Sequence, residues 1–376
     1  MKTTTLDYDW IHGWSGPLPA AERETLVLAF GAPEVGADDR PFLDLRTAYP
    51  EAIFAGCSTA GEIRGAEVQD GTLTVAIASF DRTRLAVATA PIRDWESSHG
   101  TGQTLGRALA RPDLRAILVL ADGLKTNGAA LVASLQATVG AGVVITGGLA
   151  ADAGRFERTW VLADRDRGAG LAVAVGFYGD AIRVGHGSRG GWDVFGPERR
   201  ITRARGDRLL ELDGAPALDL YKRYLGERAA ELPASALLFP LALRQQRSDG
   251  DAVVRAVLGI DDAQRSLRVA GEVPEGAHVQ LMRANSERLI EAAHEAGKDA
   301  QGTAAGEGLA IAISCVGRRV VLGQRAEEET EAVASALSPR TALAGFYSYG
   351  EIAPCREGGP AVFHNQTMTL TRFEET

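Results

Sequence analysis

The stretch AIFAGCSTAGEI at 52–63 returns near the far end of the chain as ALAGFYSYGEI at 342–352. Gly56, Gly61, Glu62 and Ile63 match Gly345, Gly350, Glu351 and Ile352, with four residues between the glycines in both copies. The surroundings repeat too. A strand and a helix precede each copy, and DGTLTV (70–75) or NQTMTL (365–370) follows it. A duplicated strand–helix–strand–turn–strand unit accounts for this, and it limits the chain to folds in which one supersecondary unit is used more than once. What both copies keep is what the backbone needs. The glycines suit a sharp turn, and the shared glutamate suits a carboxylate that accepts backbone N–H groups of that turn. Cys57 is Phe346 in the second copy, so the turn does not need the thiol.

Between the copies, β-branched apolar runs alternate with stretches of helical period. Strands are predicted at 25–31, 52–56, 116–123, 142–148, 158–163 and 169–178, and helices at 38–49, 98–110, 127–139 and 286–299. GTLTVAIASF and RLAVATAPI read as a hairpin turning at Asp81-Arg82-Thr83. GLAIAISCVGRRVVLG reads as strands, and the glycine-rich stretch 185–197 as a loop. The expected fold class is mixed α/β: two domains with internally duplicated mixed sheets and helices on their outer faces. The expected boundaries are an N-terminal extension at 1–24 and domains at 25–190 and 191–376.

A chain of 376 residues can bury a large core, and 45% hydrophobic with 24% charged residues is globular composition. The net charge of −9 argues against nucleic acid as a partner, since the basic run Arg199–Arg205 is short. The acidic opening lacks the apolar core of a secretory leader, and the longest apolar runs fall short of the ~18 residues of a membrane span. A soluble cytoplasmic protein without membrane insertion is expected. Three cysteines without C-x-x-C spacing make neither a disulfide framework nor a zinc site, so no structural metal is expected.

The chemistry-bearing residues gather at the turns. Cys57 reads as a buried thiol, a pocket-lining residue beside Ser58 and Thr59, or the nucleophile of a hydrolase, which would need a base and an oxyanion site. GCSTAGE has glutamate where a phosphate-binding loop needs lysine, so no nucleotide is expected. Gly147, Gly148 and Asp152 follow the apolar strand GVVIT, where backbone N–H groups can face a ligand. Asp122 ends AILVLADG and either binds a ligand amine or caps the next helix. Glu62, Glu351, Asp122 and Asp152 together suit a cationic group, or else they fix their loops. Tyr347 and Tyr349 share one face of a strand, and with His364 and Asn365 they can form an aromatic, hydrogen-bonding wall.

AGCSTAGEI, DGL (122–124), GGLAAD (147–152), ELDGAPALDLY (211–221) and the ending GFYSYGEIAPC…FHNQTMTL, in this order, resemble the FIST signal-transduction family across most of the chain. The resemblance implies an N-terminal and a C-terminal FIST domain and a sensory module rather than an enzyme. It implies a small ligand, an amino acid or related metabolite, and a separate signalling partner such as a histidine kinase, a cyclic-di-GMP protein or a chemotaxis protein. One subgroup resembles haem-based nitric-oxide sensors. For a haem, His364 is the first candidate ligand here, with His186 and His294 behind it.

Overall fold

The computed structural model describes residues 1–22, 24–246 and 252–376. Its described residues form four sheets, three of them built on the same plan. In the first unit, strands Glu24–Gly31 and Ile53–Ser58 run parallel on either side of helix α1 (Arg40–Ala48), and Leu73–Phe80 returns antiparallel beside the first strand. The second unit repeats this with Leu114–Ala121, Val144–Leu149 and Leu171–Tyr178, preceded by helix α2 (Ser98–Leu109) and connected by α3 (Gly128–Val139). After a short helix α4 (Ala217–Leu225) in an intervening segment, the third unit starts with helix α5 (Ser286–Gln301). Its strands are Gly308–Cys315, Thr341–Ser348 and Met368–Glu375, joined through helices α6 (Val316–Leu322) and α7 (Ala326–Ala336). The mixed α/β class is as expected. The sequence repeat marks units one and three, and a further copy lies between them.

The parallel registers make the units equivalent residue by residue. Gly56 lies opposite Ala29, Gly147 opposite Val119 and Gly345 opposite Ala312. A Cβ at these glycines would stand 2.0, 1.8 and 1.9 Å from the facing carbonyl oxygen. Close backbone approach, more than turn geometry, therefore requires glycine at this point of every unit.

Each unit lends its hairpin to a neighbour. Glu62–Arg64 of the first pairs with Thr341–Ser348 of the third, Glu351–Pro354 of the third with Val144–Leu149 of the second, and Val161–Ala163 of the second with Ile53–Ser58 of the first. The exchange closes a ring of three. The strand before each unit also adds to a sheet: Lys2–Asp9 to Leu73–Phe80, Arg84–Pro91 to Leu171–Tyr178, and Ile182–Arg189 to Met368–Glu375. One face of each of these three sheets turns inward to a shared core that includes Phe30, Cys57, Leu118, Phe177, Ile311 and Phe346. Phe30 stacks on Phe346 and Phe177 on Phe373 at 4.8 and 4.5 Å. The outer faces bury α1, the α2–α3 pair and the α5–α7 pair.

Three local expectations change. Leu73–Phe80 and Arg84–Pro91 do not pair as a hairpin, because the chain at 81–83 crosses from the first sheet to the second. The stretch 185–197 is strand up to Arg189 and again from Asp193, since its glycines let strand backbone pack closely on α5: a Cβ at Gly185 or Gly187 would meet the Ala300 or Ala296 carbonyl at 2.0 or 2.1 Å. GRRVVL belongs to α6 rather than to a strand, and only this turn of helix brings Arg318 to Glu329.

Between strand Ile182–Arg189 and α5 the chain makes an inserted domain. Its eight-stranded antiparallel sheet runs from Val253–Arg255 at one edge to Val257–Asp261 at the other, and α4 packs on a separate core around Leu209, Tyr221, Leu241 and Leu267.

Candidate functional site

The interlocked turns bring most of the sequence-selected residues together. Ala60 N donates to Tyr347 O, Tyr347 N to Gly61 O, Ala151 N to Ser58 O, Tyr349 N to Leu149 O and Leu149 N to Gly350 O. This weaves the second strands of all three units into one knot. Ser58, Thr59, Glu62, Asp122, Asp152, Tyr347, Glu351 and Asn365 are each no more than 1% exposed. Gly148 lies opposite Glu351 in the same weave.

The two glutamates are held alike, but the backbone N–H each accepts from lies on the following strand segment, ten and sixteen residues on, rather than in its own turn. Glu62 accepts from the Thr59 hydroxyl and from the Thr72 N–H and hydroxyl at 3.0 and 2.9 Å. Glu351 accepts from the Ser348 hydroxyl at 2.8 Å and from the Thr367 N–H and hydroxyl at 3.2 and 2.8 Å. Burial pushes Glu62 up to about 7 and Glu351 up to about 8, against the lowering effect of these donors. Val161 holds the equivalent place in the second unit, opposite Cys57 as Glu62 is opposite Phe346. Asp152 instead caps an exposed loop there. It accepts from Phe156, Glu157 and Arg158 N–H at 2.9, 2.6 and 2.8 Å and from the Tyr349 hydroxyl. Burial raises its pKa, but the Tyr349 hydroxyl and these amides outweigh that and the pKa is lowered. Asp122 also caps, accepting from Leu124, Lys125 and Gly170 N–H at 2.8, 3.1 and 2.6 Å. Arg319 of α6 covers the Gly61 turn, bonded to Ala60 O and paired with Asp70 at 2.6 Å.

Cys57 lies in the shared core with no exposed surface, and burial pushes its thiol well up. A nucleophilic cysteine needs the opposite environment, accessible and electropositive. His364 Nε2 is 3.0 Å from Ala353 O, and burial first, then the charge of Arg255, hold its pKa down to about 4. His294 Nδ1 is 3.1 Å from Ala332 O, and His186 is half-buried in strand Ile182–Arg189. Among the described residues, no histidine, cysteine or methionine lines the cavities beside the inserted domain, so the residues present do not fit an axial haem ligand there. Among the described residues no group of three or more His, Cys, Asp or Glu is placed to hold a metal.

Open space lies elsewhere: about 450 Å³ beside Tyr49 of the first unit, and more where the inserted domain meets the second unit. A cleft of about 670 Å³ is bounded by Ala129 on the first turn of α3 and by Leu243, Val253, Arg255, Glu272 and Val273 of the inserted domain. The turn at Gly206 separates it from a second space of about 580 Å³ beside Trp95 and Arg208. Arg255 is the unusual member. It is 7% exposed, its Nη1 donates to Val254 O and Phe363 O at 3.2 Å, and its Nε has no partner. Burial lowers its pKa to about 10, with Glu272 acting in the other direction. Gly271, at φ +107°, leaves the space the guanidinium fills, because a Cβ there would stand 3.2 Å from Nε. Glu272 is exposed and reaches the body, accepting from Asn127 Nδ2 at 3.2 Å. Sequence reasoning passed over Arg255, Glu272 and Asn127. The available signal was one arginine inside the apolar run AVVRAVLG.

The volume is within the range of small-molecule sites, and the wall mixes apolar side chains with Gln245, Arg255, Glu272 and Glu275. No described helix is long and apolar enough to cross a membrane. No curated protein matches the chain. The family model for the FIST N domain matches residues 25–215 and that for the FIST C domain matches 217–354. The chain belongs to the FIST family, whose domains are associated with sensing in signal transduction.

Proposed function

We propose that this FIST-family chain is a cytoplasmic input protein that binds a small molecule in the cleft between the inserted domain and the three-unit body. The observation that carries the reading is the 670 Å³ cleft with a buried, incompletely partnered arginine on its wall. The resemblance to FIST proteins makes an amino acid or related metabolite the ligand to try first. The buried turns carrying Gly56, Glu62, Gly147, Asp152, Gly350 and Glu351 act in this reading as the scaffold that holds the three units in register. A ligand touching both walls favours one setting of the inserted domain against the body, and a signal requires that difference in affinity. The state passes by contact to a separate protein, a histidine kinase, a cyclic-di-GMP protein or a chemotaxis component.

The test is a thermal-shift screen of the full chain with amino acids and related metabolites. A ligand that binds only the folded state raises the melting temperature with its concentration, by about 2.7 kcal/mol of stabilisation at a hundred times Kd. No shift with any compound retires ligand sensing in favour of a pure protein-contact role.

A further inference from the structure

We propose that the cleft is an anion site for a small carboxylic acid, whose carboxylate sits between the Arg255 guanidinium and the first turn of α3 while its apolar body lies along Leu243, Val253 and Val273. The assignment rests on the reading of the cleft as the ligand site. It starts from a cost. A cation 7% exposed is expensive to keep unless it is paired and hydrogen-bonded, and Arg255 has two carbonyl contacts, an unpartnered Nε and no carboxylate within ion-pair distance among the described residues. Gly271 at positive φ maintains the space the guanidinium fills rather than closing it with a side chain. The opposite wall is also positive. α3 is twelve residues long, its first turn borders the cleft at Ala129, and a helix N-terminus favours an anion. A guanidinium and a helix N-terminus lining the same cleft suit a carboxylate, which takes two parallel N–H bonds from arginine.

The protein already keeps two carboxylates on the cleft wall, Glu275, which accepts from Ala204 N–H at 3.0 Å, and Glu272. Glu272 is solvent-exposed, holds the amide of Asn127, the N-cap of α3, and lies within electrostatic reach of Arg255 without pairing to it. It is a stand-in on the inserted domain for an anion from outside. A ligand carboxylate that pairs with Arg255 competes with Glu272 for the positive field, and the Asn127–Glu272 bond is a direct tie between the inserted domain and the second unit. Displacing Glu272 loosens that tie, which makes ligand entry felt in the setting of the inserted domain.

Calorimetry and thermal shift on the full chain test this with matched probes: hexanoate against hexanamide, and leucine against leucinamide, which keeps the ammonium and loses the carboxylate. The acids are expected to bind and the amides not. Arg255→Met should weaken the acids on the order of a hundredfold, the range for truncating one side of a buried charge pair. Arg255→Lys, which keeps the charge, should retain part of the affinity and serves where Arg255→Met folds poorly. Glu272→Gln should tighten binding, because the competing carboxylate is gone. Equal binding of acid and amide, or acid binding that survives Arg255→Met, overturns the carboxylate assignment. If a neutral or cationic metabolite stabilises the chain equally in wild type and Arg255→Met, this assignment falls and the sensor reading stands. If no probe of any class binds, both fall.

Discussion

Removing one partner of the Arg318–Glu329 pair should destabilise this protein more than the loss of any exposed ion pair. Both side chains have no exposed surface, and the guanidinium meets Glu329 Oε1 at 2.6 Å. Glu329 also accepts from the Ser314 and Tyr347 hydroxyls at 3.0 and 3.1 Å, so four side chains share one buried network. Arg318 further donates to Leu289 O at 2.8 Å and to Gly190 O. Those carbonyls flank the inserted domain on its two connections to the body, so a single guanidinium holds both. Glu329→Gln leaves the guanidinium buried without its counter-charge, and Arg318→Met leaves a buried carboxylate. Each should cost about 3 to 5 kcal/mol, well above the loss of an exposed pair such as Arg40–Asp38. Urea unfolding of wild type, both single variants and the double variant Arg318→Met/Glu329→Leu measures this as a cycle. The double variant should cost less than the two singles together, since it removes the stranded charge. Hydrogen exchange at 190–192 and 285–290 should quicken in Arg318→Met. A loss below about 1 kcal/mol in Glu329→Gln, or strict additivity of the cycle, would refute the reasoning.

Two further predictions follow from the interlocked turns. Glu62 and Glu351 have folded pKa values of about 7 and about 8, above the ~4.3 of an unfolded glutamate, so the folded state binds the extra protons. Their contribution is complete below that unfolded value and is lost as pH rises through 7 to 8, a few kcal/mol for each. Urea midpoints should fall from pH 5 to pH 8, and Glu62→Gln/Glu351→Gln should flatten the slope; an unchanged slope in that variant counts against the buried acids. Gly345→Ala puts a Cβ 1.9 Å from the Ala312 carbonyl oxygen and should cost several kcal/mol or prevent folding, whereas Gly100→Ala, with open space on α2, should be neutral or stabilise by up to about 1 kcal/mol. Equal stability of the two variants would remove the close-approach argument.

The chain's one-dimensional pattern carried most of the element types, the repeat and a hydrogen-bonded glutamate in each of its two copies. These are local properties: the period of apolar residues, the recurrence of a glycine, a carboxylate three residues from a hydroxyl it accepts from. The copy in the middle stayed hidden because the exposed loop at 153–158 separates Gly147 from its hairpin and Val161 stands where the others have glutamate, so only the glycine remained to be matched. The crossing at 81–83 was equally invisible. Two apolar strands separated by three residues read as a hairpin, and only the competition for partners decides that each joins a different sheet. The candidate site depended on packing even more. Tyr347, Glu62 and Asp152 looked like pocket residues because they are polar at strand ends, yet the exchange of hairpins buries them and supplies their partners. Arg255 looked like one charge in a strand, and it became the exceptional group only when the inserted domain folded against α3 and left it buried beside a cleft. Which polar groups end up paired is a property of surfaces that meet from distant parts of the chain, and for that reason the tertiary structure alone decided where a ligand has room.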